Sequence, residues 1–220
     1  MTPAPAARGI RARGEPPPTV LVDQEALARH VERIAGEITV DHPDGVVLVG
    51  VLKGALIFLA DLARAITDVD VTVDFLAISR YAPDSGRVRI LKDLDVQVGG
   101  RDVVLVEDLV DTGLTIAYLL SHVRDRAPRS LDVCTLLDRP ARRIVPQPVR
   151  YVGQQIEDVF VLGYGLHHAD LYRNVPYIVE ADRRVVLERP AAYVDALYGG
   201  QRDAVDGLPR SLHPGRPVVD

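Results

Sequence analysis

The chain has 220 residues, 47% of them hydrophobic and 26% charged, with a formal net charge of −5. This length suits one domain plus appendages, and the acidic balance argues against broad nucleic-acid binding, which normally needs a basic face. The single cysteine, Cys134, sits in an apolar run; it excludes a disulfide framework, suits a reducing compartment and reads as a buried structural thiol rather than a nucleophile. No CxxC or HExxH spacing offers a zinc site.

Residues 1–19 are rich in Pro, Ala and Arg, contain no apolar run of signal-peptide length and read as a flexible tail. Residues 24–38 place Leu27, Val31, Ile34 and Ile38 on one helix face, with Asp23 positioned to cap the helix. Residues 46–66 are strongly apolar but carry Lys53, Asp61 and Arg64. Those charges are costly in a membrane, so a buried strand over 46–51 and a helix over 55–66 are expected instead. A second strand covers 72–78, and Pro83, Asp84, Ser85 and Gly86 give 81–87 the chemistry of a mobile loop or hairpin tip. A return strand over 88–94 follows. Then come a strand over 103–107, a helix over 115–126 and a strand over 131–137, with shorter strand-like pieces near 151–152, 159–162 and 177–179. The alternation implies an α/β fold with a mainly parallel sheet and helices on both faces, the last pieces forming a small hood over the strand ends. From residue 199 the chain is again rich in Gly, Pro and charge and reads as a loose tail, leaving 20–198 as the folded domain.

The run from Val103 to Thr115 carries the most chemistry. An apolar strand opens onto Glu107, Asp108 and Asp111, then a Thr112-Gly113-Leu114-Thr115 turn, then a helical pattern. Ligands of open α/β sheets bind beyond the carboxyl ends of the strands. Adjacent acids there suit a sugar diol or a metal-bound sugar. Backbone N–H groups of 112–115 at a helix N-terminus favour a phosphate. Carboxylates alone would repel phosphate, so the pattern points to a ligand with a ribose in front and a 5′-phosphate behind. The bland alternative is a strand–turn–helix with an acidic surface loop. Leu52-Lys53-Gly54 lies between the first buried strand and its helix, where a cation and a glycine suit an anionic group.

The 103–115 run resembles the phosphoribosyl-pyrophosphate (PRPP) loop of the type I phosphoribosyltransferases, and Val49-Gly50-Val51-Leu52-Lys53-Gly54-Ala55 resembles the pyrophosphate loop of the hypoxanthine-guanine members. Val73-Asp74-Phe75 and Arg89-Ile90-Leu91-Lys92-Asp93-Leu94-Asp95 look like that family's flanks around its catalytic flexible loop. Phe160-Val161-Leu162-Gly163-Tyr164-Gly165-Leu166, then Tyr172-Arg173-Asn174 and Pro176-Tyr177, look like its base- and pyrophosphate-binding tail. By these motifs the chain is identified as similar to the 6-oxopurine salvage phosphoribosyltransferases over about residues 20–186.

The resemblance implies roles position by position. Glu107 and Asp108 would face the ribose hydroxyls and Mg²⁺, and Asp111 would be the general base near N7 of the purine. Thr112, Gly113, Leu114 and Thr115 would hold the 5′-phosphate, while Lys53, Gly54 and Arg173 contact pyrophosphate. Phe160 would stack on the base and Val161 would present backbone to its exocyclic edge. The implied reaction joins PRPP to hypoxanthine or guanine, giving the nucleoside 5′-monophosphate and pyrophosphate. The implied protein is cytoplasmic and homo-oligomeric (dimer or tetramer), with no membrane or nucleic-acid partner.

Three positions depart from the family pattern. The purine-reading lysine falls on Arg139, whose planar fork suits carboxylates bidentately. The magnesium-binding tail aspartate appears as His167, next to His168, and imidazole is a poor ligand for a hard cation. The lid's Ser-Tyr pair reads Arg80-Tyr81. These changes leave open a pocket retuned for an unusual base such as a 7-deazapurine. A rival from another class, a PRPP-sensing regulator that binds nucleic acid, keeps the same fold; the acidic balance and the retained Lys53 and Asp111 count against it.

Overall fold

The computed structural model describes residues 17–79 and 89–198. The expected tails lie almost wholly outside these residues, as do Arg80, Tyr81 and the expected loop tip. The elements in order are β1 (Thr19–Val22), α1 (Gln24–Asp41), β2 (Val46–Leu52), α2 (Leu56–Ala65), β3 (Val71–Ser79), β4 (Arg89–Lys92) and β5 (Asp102–Val110). There follow α3 (Leu114–Arg124), β6 (Ser130–Asp138), a 3₁₀ turn (Pro140–Arg142), β7 (Tyr151–Gln155), β8 (Phe160–Leu162), β9 (Ile178–Ala181) and α4 (Arg183–Glu188).

Six strands form the main sheet in the order β4-β3-β2-β5-β6-β7. All neighbours are parallel except β4, which returns antiparallel along β3. The apolar runs of β2 and β5 lie at its centre because both of their faces are covered. Side chains alternate along β5: Val104 and Val106 pack with Leu27, Ile34, Phe58 and Leu62 of α1 and α2. Val103 and Leu105 pack on the other face with Ile116, Leu119 and Val123 of α3. Asp23 caps α1 as expected, its carboxylate accepting from Ala26 N at 2.7 Å, an interaction worth about 1 kcal/mol.

The hood is a separate antiparallel sheet of order β1-β9-β8 with its own apolar cluster around Leu162, Tyr172, Val179 and Val186. Three sequence expectations are corrected. β7 belongs to the edge of the main sheet, beside β6, and not to the hood. β5 runs three residues beyond Glu107, so Asp108, expected just past the strand, is a strand residue as well. The hood takes one strand from the chain's beginning, β1, which pairs with β9.

On the β3–β4 side, buried Asp74 accepts from Asp95 N (2.8 Å), Val96 N (2.9 Å) and Lys92 Nζ (3.1 Å). The two flanking motifs read from the sequence are thus joined through one carboxylate. At the opposite end of the sheet, buried Asp102 accepts from Arg129 Nε (2.8 Å) and Nη2 (2.5 Å) and from Ser130 Oγ (2.8 Å), with His42 Nδ1 at 3.4 Å. The Arg129 guanidinium, helped by Ser130 and His42, holds its carboxyl far below the usual carboxylate range despite burial. A depressed folded-state value contributes stability that is complete above the ordinary aspartate range, about pH 4, and is lost as pH falls through it. The urea midpoint of the native protein should therefore drop between about pH 7 and pH 3. Asp102→Asn should lower the midpoint at pH 7 and flatten part of that drop; an unchanged pH slope would show that this carboxylate carries none of it.

Candidate active site

The carboxyl ends of β2 and β5 and the hood strand β8 border one cleft of about 970 Å³. At the end of β5, Glu107 is still in register with Thr135 of β6, and Val110 with Asp138. Glu107 is buried, and Asp108 accepts from Leu109 N at 2.8 Å. The chain then turns through Asp111 and Thr112 to Gly113, which caps α3 with φ +82°. That left-handed conformation favours glycine. Space makes the same demand, because an added Cβ would lie 2.3 Å from the Val145 carbonyl oxygen. Ile144 N and Val145 N both donate to Thr112 O, at 2.9 and 3.0 Å. The segment after β6 therefore straps the turn in place, and Leu114, Thr115 and Ile116 at the start of α3 line the cleft, where a helix N-terminus suits an anion.

The turn between β2 and α2 brings Lys53 and Gly54 to the other side of the cleft, and its Leu52–Lys53 peptide is cis. A Cβ on Gly54 would lie 1.8 Å from Asp108 Oδ2, and one on Gly165 would lie 2.1 Å from Gly54 O. Three segments therefore meet at Gly54, the Asp108 side chain on one side and the Gly165 backbone on the other. Gly165 N donates to Arg173 O (2.9 Å), and Arg173 Nη1 donates to Gly165 O (2.7 Å). Asp170 gathers the cations here, with Arg173 Nη2 at 3.3 Å and Lys53 Nζ at 3.9 Å. Arg173 above all, then Lys53, holds the Asp170 carboxyl below its usual range. His167 Nδ1 accepts from Asp170 N at 3.1 Å, so that nitrogen serves the local turn.

At the third side, Phe160 and Val161 of β8 line the cleft. The aromatic edge contact of Phe160 is made by His168 (centroids 6.0 Å, planes 69° apart), a residue the sequence reading left aside. Arg139 is buried: its Nη2 donates to Val159 O at 2.5 Å and its Nη1 lies 3.5 Å from Asp111 Oδ1. Arg142 reaches the same oxygen with Nε at 3.4 Å.

Every described residue that the sequence assigned to the site lines this cleft: Lys53, Gly54, Glu107, Asp108, Asp111, the 112–115 turn, Arg139, Phe160, Val161, His167 and Arg173. Arg80 and Tyr81 lie outside the described residues. The sequence reading missed Arg142 and Asp158; the only signal for Arg142 was its place three residues after Arg139, one 3₁₀ turn away. A second cleft of about 770 Å³ lies between α1, α2 and the hood, with the Tyr164–Asp61 hydrogen bond (2.5 Å) in its wall, and contains none of these groups. The first cleft thus offers carboxylates for hydroxyls, helix N–H groups and cations for two anionic groups, and an aromatic face for a flat ring.

Residues 19–169 match the family model described as the phosphoribosyl transferase domain. The chain is 43% identical over 163 residues to the hypoxanthine-guanine phosphoribosyltransferase of Bacillus subtilis, covering 72% of this chain and 90% of that protein. It is 44% identical over 177 residues to the protein of the same name from Mycobacterium avium, covering 76% and 87%. Among solved structures, a hypoxanthine-guanine phosphoribosyltransferase from Bacillus anthracis superposes with a TM-score of 0.71 at 42% identity, covering 74% of this chain and 98% of that one.

The packing at Gly54 makes a direct prediction. Gly54→Ala forces its Cβ against the Asp108 carboxylate and should destabilise the fold by about 1–3 kcal/mol, the usual cost of overpacking. Urea denaturation measures it, and a cost within about 0.5 kcal/mol of zero would mean that the two segments are not in close contact.

Proposed function

The chain belongs to the phosphoribosyl transferase family, and we propose that it transfers the 5-phosphoribosyl group of PRPP to N9 of a 6-oxopurine, hypoxanthine or guanine. The products are the nucleoside 5′-monophosphate and pyrophosphate. The observation that carries this reading is the meeting of the β5 acids, the α3 N-terminus, the Lys53–Gly54 turn and Phe160 in one cleft. The names of the relatives supply the base. Those names are names of enzymes, and the regulator reading is set aside.

In this reading the N–H groups at the start of α3, with Thr112 and Thr115, bind the 5′-phosphate, and Glu107 and Asp108 take the ribose hydroxyls. Breaking the bond from C1 to pyrophosphate leaves positive charge on the sugar ring and negative charge on the leaving group. Lys53 and Arg173 sit where fixed cations stabilise that leaving charge. Phe160 stacks on the base, and Val161 offers backbone to its exocyclic edge. Asp111 accepts the proton that the purine loses as N9 bonds to C1, a contribution of about 10²–10⁴-fold for a well-placed base.

Mg²⁺ fits one part of this cleft and not another. Glu107 and Asp108 are hard oxygen donors that line the cleft together. That suits an ion held by one or two carboxylates together with substrate oxygens. His167 does not suit it, since its Nδ1 already accepts from Asp170 N–H. Bound through Glu107 and Asp108, the ion would help neutralise the pyrophosphate.

A cytoplasmic homo-oligomer completes the reading. The buried free thiol of Cys134, pushed far up by desolvation, accords with a reducing compartment. No helix among the described residues is long and apolar enough to cross a membrane. Incubation of the pure protein with PRPP, Mg²⁺ and a panel of bases should yield inosine and guanosine monophosphates. Formation of no monophosphate with any base would defeat the reading. Asp111→Asn should lower kcat by about 10²–10⁴-fold with much less change in PRPP binding.

A further inference from the structure

We infer that Arg142 is a positioning residue for Asp111, coupling the carboxylate at the end of β5 to the hood segment that leads into Phe160. The inference rests on the reading of Asp111 as the general base.

Arg142 closes the 3₁₀ turn Pro140–Arg142 and spans two carboxylates with two different nitrogens. Nε lies 3.4 Å from Asp111 Oδ1, and Nη1 lies 3.4 Å from Asp158 Oδ1. Arg139 approaches the same Asp111 oxygen at 3.5 Å while holding Val159 O. Both contacts that steady Asp111 from this side therefore also steady the two residues before Phe160. The turn is itself fixed, with Arg142 N donating to Arg139 O (3.2 Å), Arg143 N to Pro140 O (3.0 Å) and the Arg143 guanidinium to Asp138.

The arrangement sorts the two carboxylate oxygens. Oδ1 is fully buried and has no well-aligned hydrogen bond, the two guanidinium groups standing off from it. The Asp111 side chain as a whole is 34% exposed, so its exposed surface belongs to atoms other than Oδ1. Two cations on one oxygen leave the other to meet the base. Arg142 needs no contact with substrate to do this. A misplacement of about 1 Å in such a group costs on the order of 10²-fold in rate.

The test compares kcat and KM of R142Q, R142K, D111N and R142Q/D111N, with PRPP and hypoxanthine as substrates. R142Q should lower kcat by about 10–100-fold while KM for PRPP stays within about twofold, because the PRPP-binding turn is held by the Ile144 and Val145 backbone and not by this side chain. R142K keeps the charge beside Asp111 but cannot bridge to Asp158 through a second nitrogen, and should recover part of the loss. Since Arg142 acts through Asp111, the double variant should be no slower than D111N alone. A kcat for R142Q within about twofold of the native enzyme, or a PRPP KM that rises as far as kcat falls, would overturn the inference. So would an R142K enzyme no faster than R142Q, or a double variant clearly slower than D111N. A slow D111N beside an unimpaired R142Q removes this inference alone, whereas a fully active D111N removes the general-base reading and the inference with it.

Discussion

The site is organised around close packing at Gly54. Its α-carbon packs against the Asp108 carboxylate, and its carbonyl oxygen packs against Gly165 of the hood. Neither contact leaves room for a side chain. The consequence is positional: the cationic turn after β2 meets the acids at the end of β5 through the Asp108 carboxylate and the loop carrying Arg173 through main chain, both in close packing that leaves little room to shift. A cleft assembled this way keeps its shape whatever the long side chains on its rim are doing.

Those side chains are held in two different ways. Lys53 and Asp170 are about 70% exposed and 3.9 Å apart. Pairs of that kind contribute roughly 0–1 kcal/mol, so an incoming polyanion can take the place of Asp170 beside Lys53 and Arg173 at small cost. Arg139 is 5% exposed and pinned to a backbone carbonyl. Breaking such a contact strands a buried charge, which costs several kcal/mol. The end of the cleft at Lys53 can exchange partners, while the end beside Phe160 is set in the fold. That division suits a reaction in which a highly charged group leaves and a flat, nearly neutral ring must be held still.

Local patterns carried most of the fold, and non-local pairings carried what was missed. The Leu27-Val31-Ile34-Ile38 stripe and the Asp23 cap identify α1 within a few residues, because periodicity and capping are properties of adjacent residues. The membership of β1 in the hood is not legible, since its partner β9 begins more than 150 residues later. The short piece near 151–152 reads as a strand but cannot say which sheet it joins; only the edge offered by β6 decides that. Asp108 looked like a loop residue because acids are rare in strand centres, yet the ladder to β6 continues past it. In the site, the motif residues were legible because strand, turn and helix follow one another in the chain. Arg142, Asp158 and His168 were not, since their importance arises where the β6–β7 connection meets the hood.

That connection explains how an arginine is tolerated where a lysine reads the purine in the family this chain resembles. A lysine there would place one ammonium near the ring. Arg139 instead divides its fork, giving Nη2 to Val159 O and turning Nη1 toward Asp111. The same segment donates Ile144 N and Val145 N to Thr112 O and Arg139 N to Val110 O, so the 112–115 turn, the β5 end and the approach to Phe160 share one support. The Arg139 Nε is buried with no hydrogen-bond partner, so the arginine at position 139 is held by its two Nη groups and by the shared support around it.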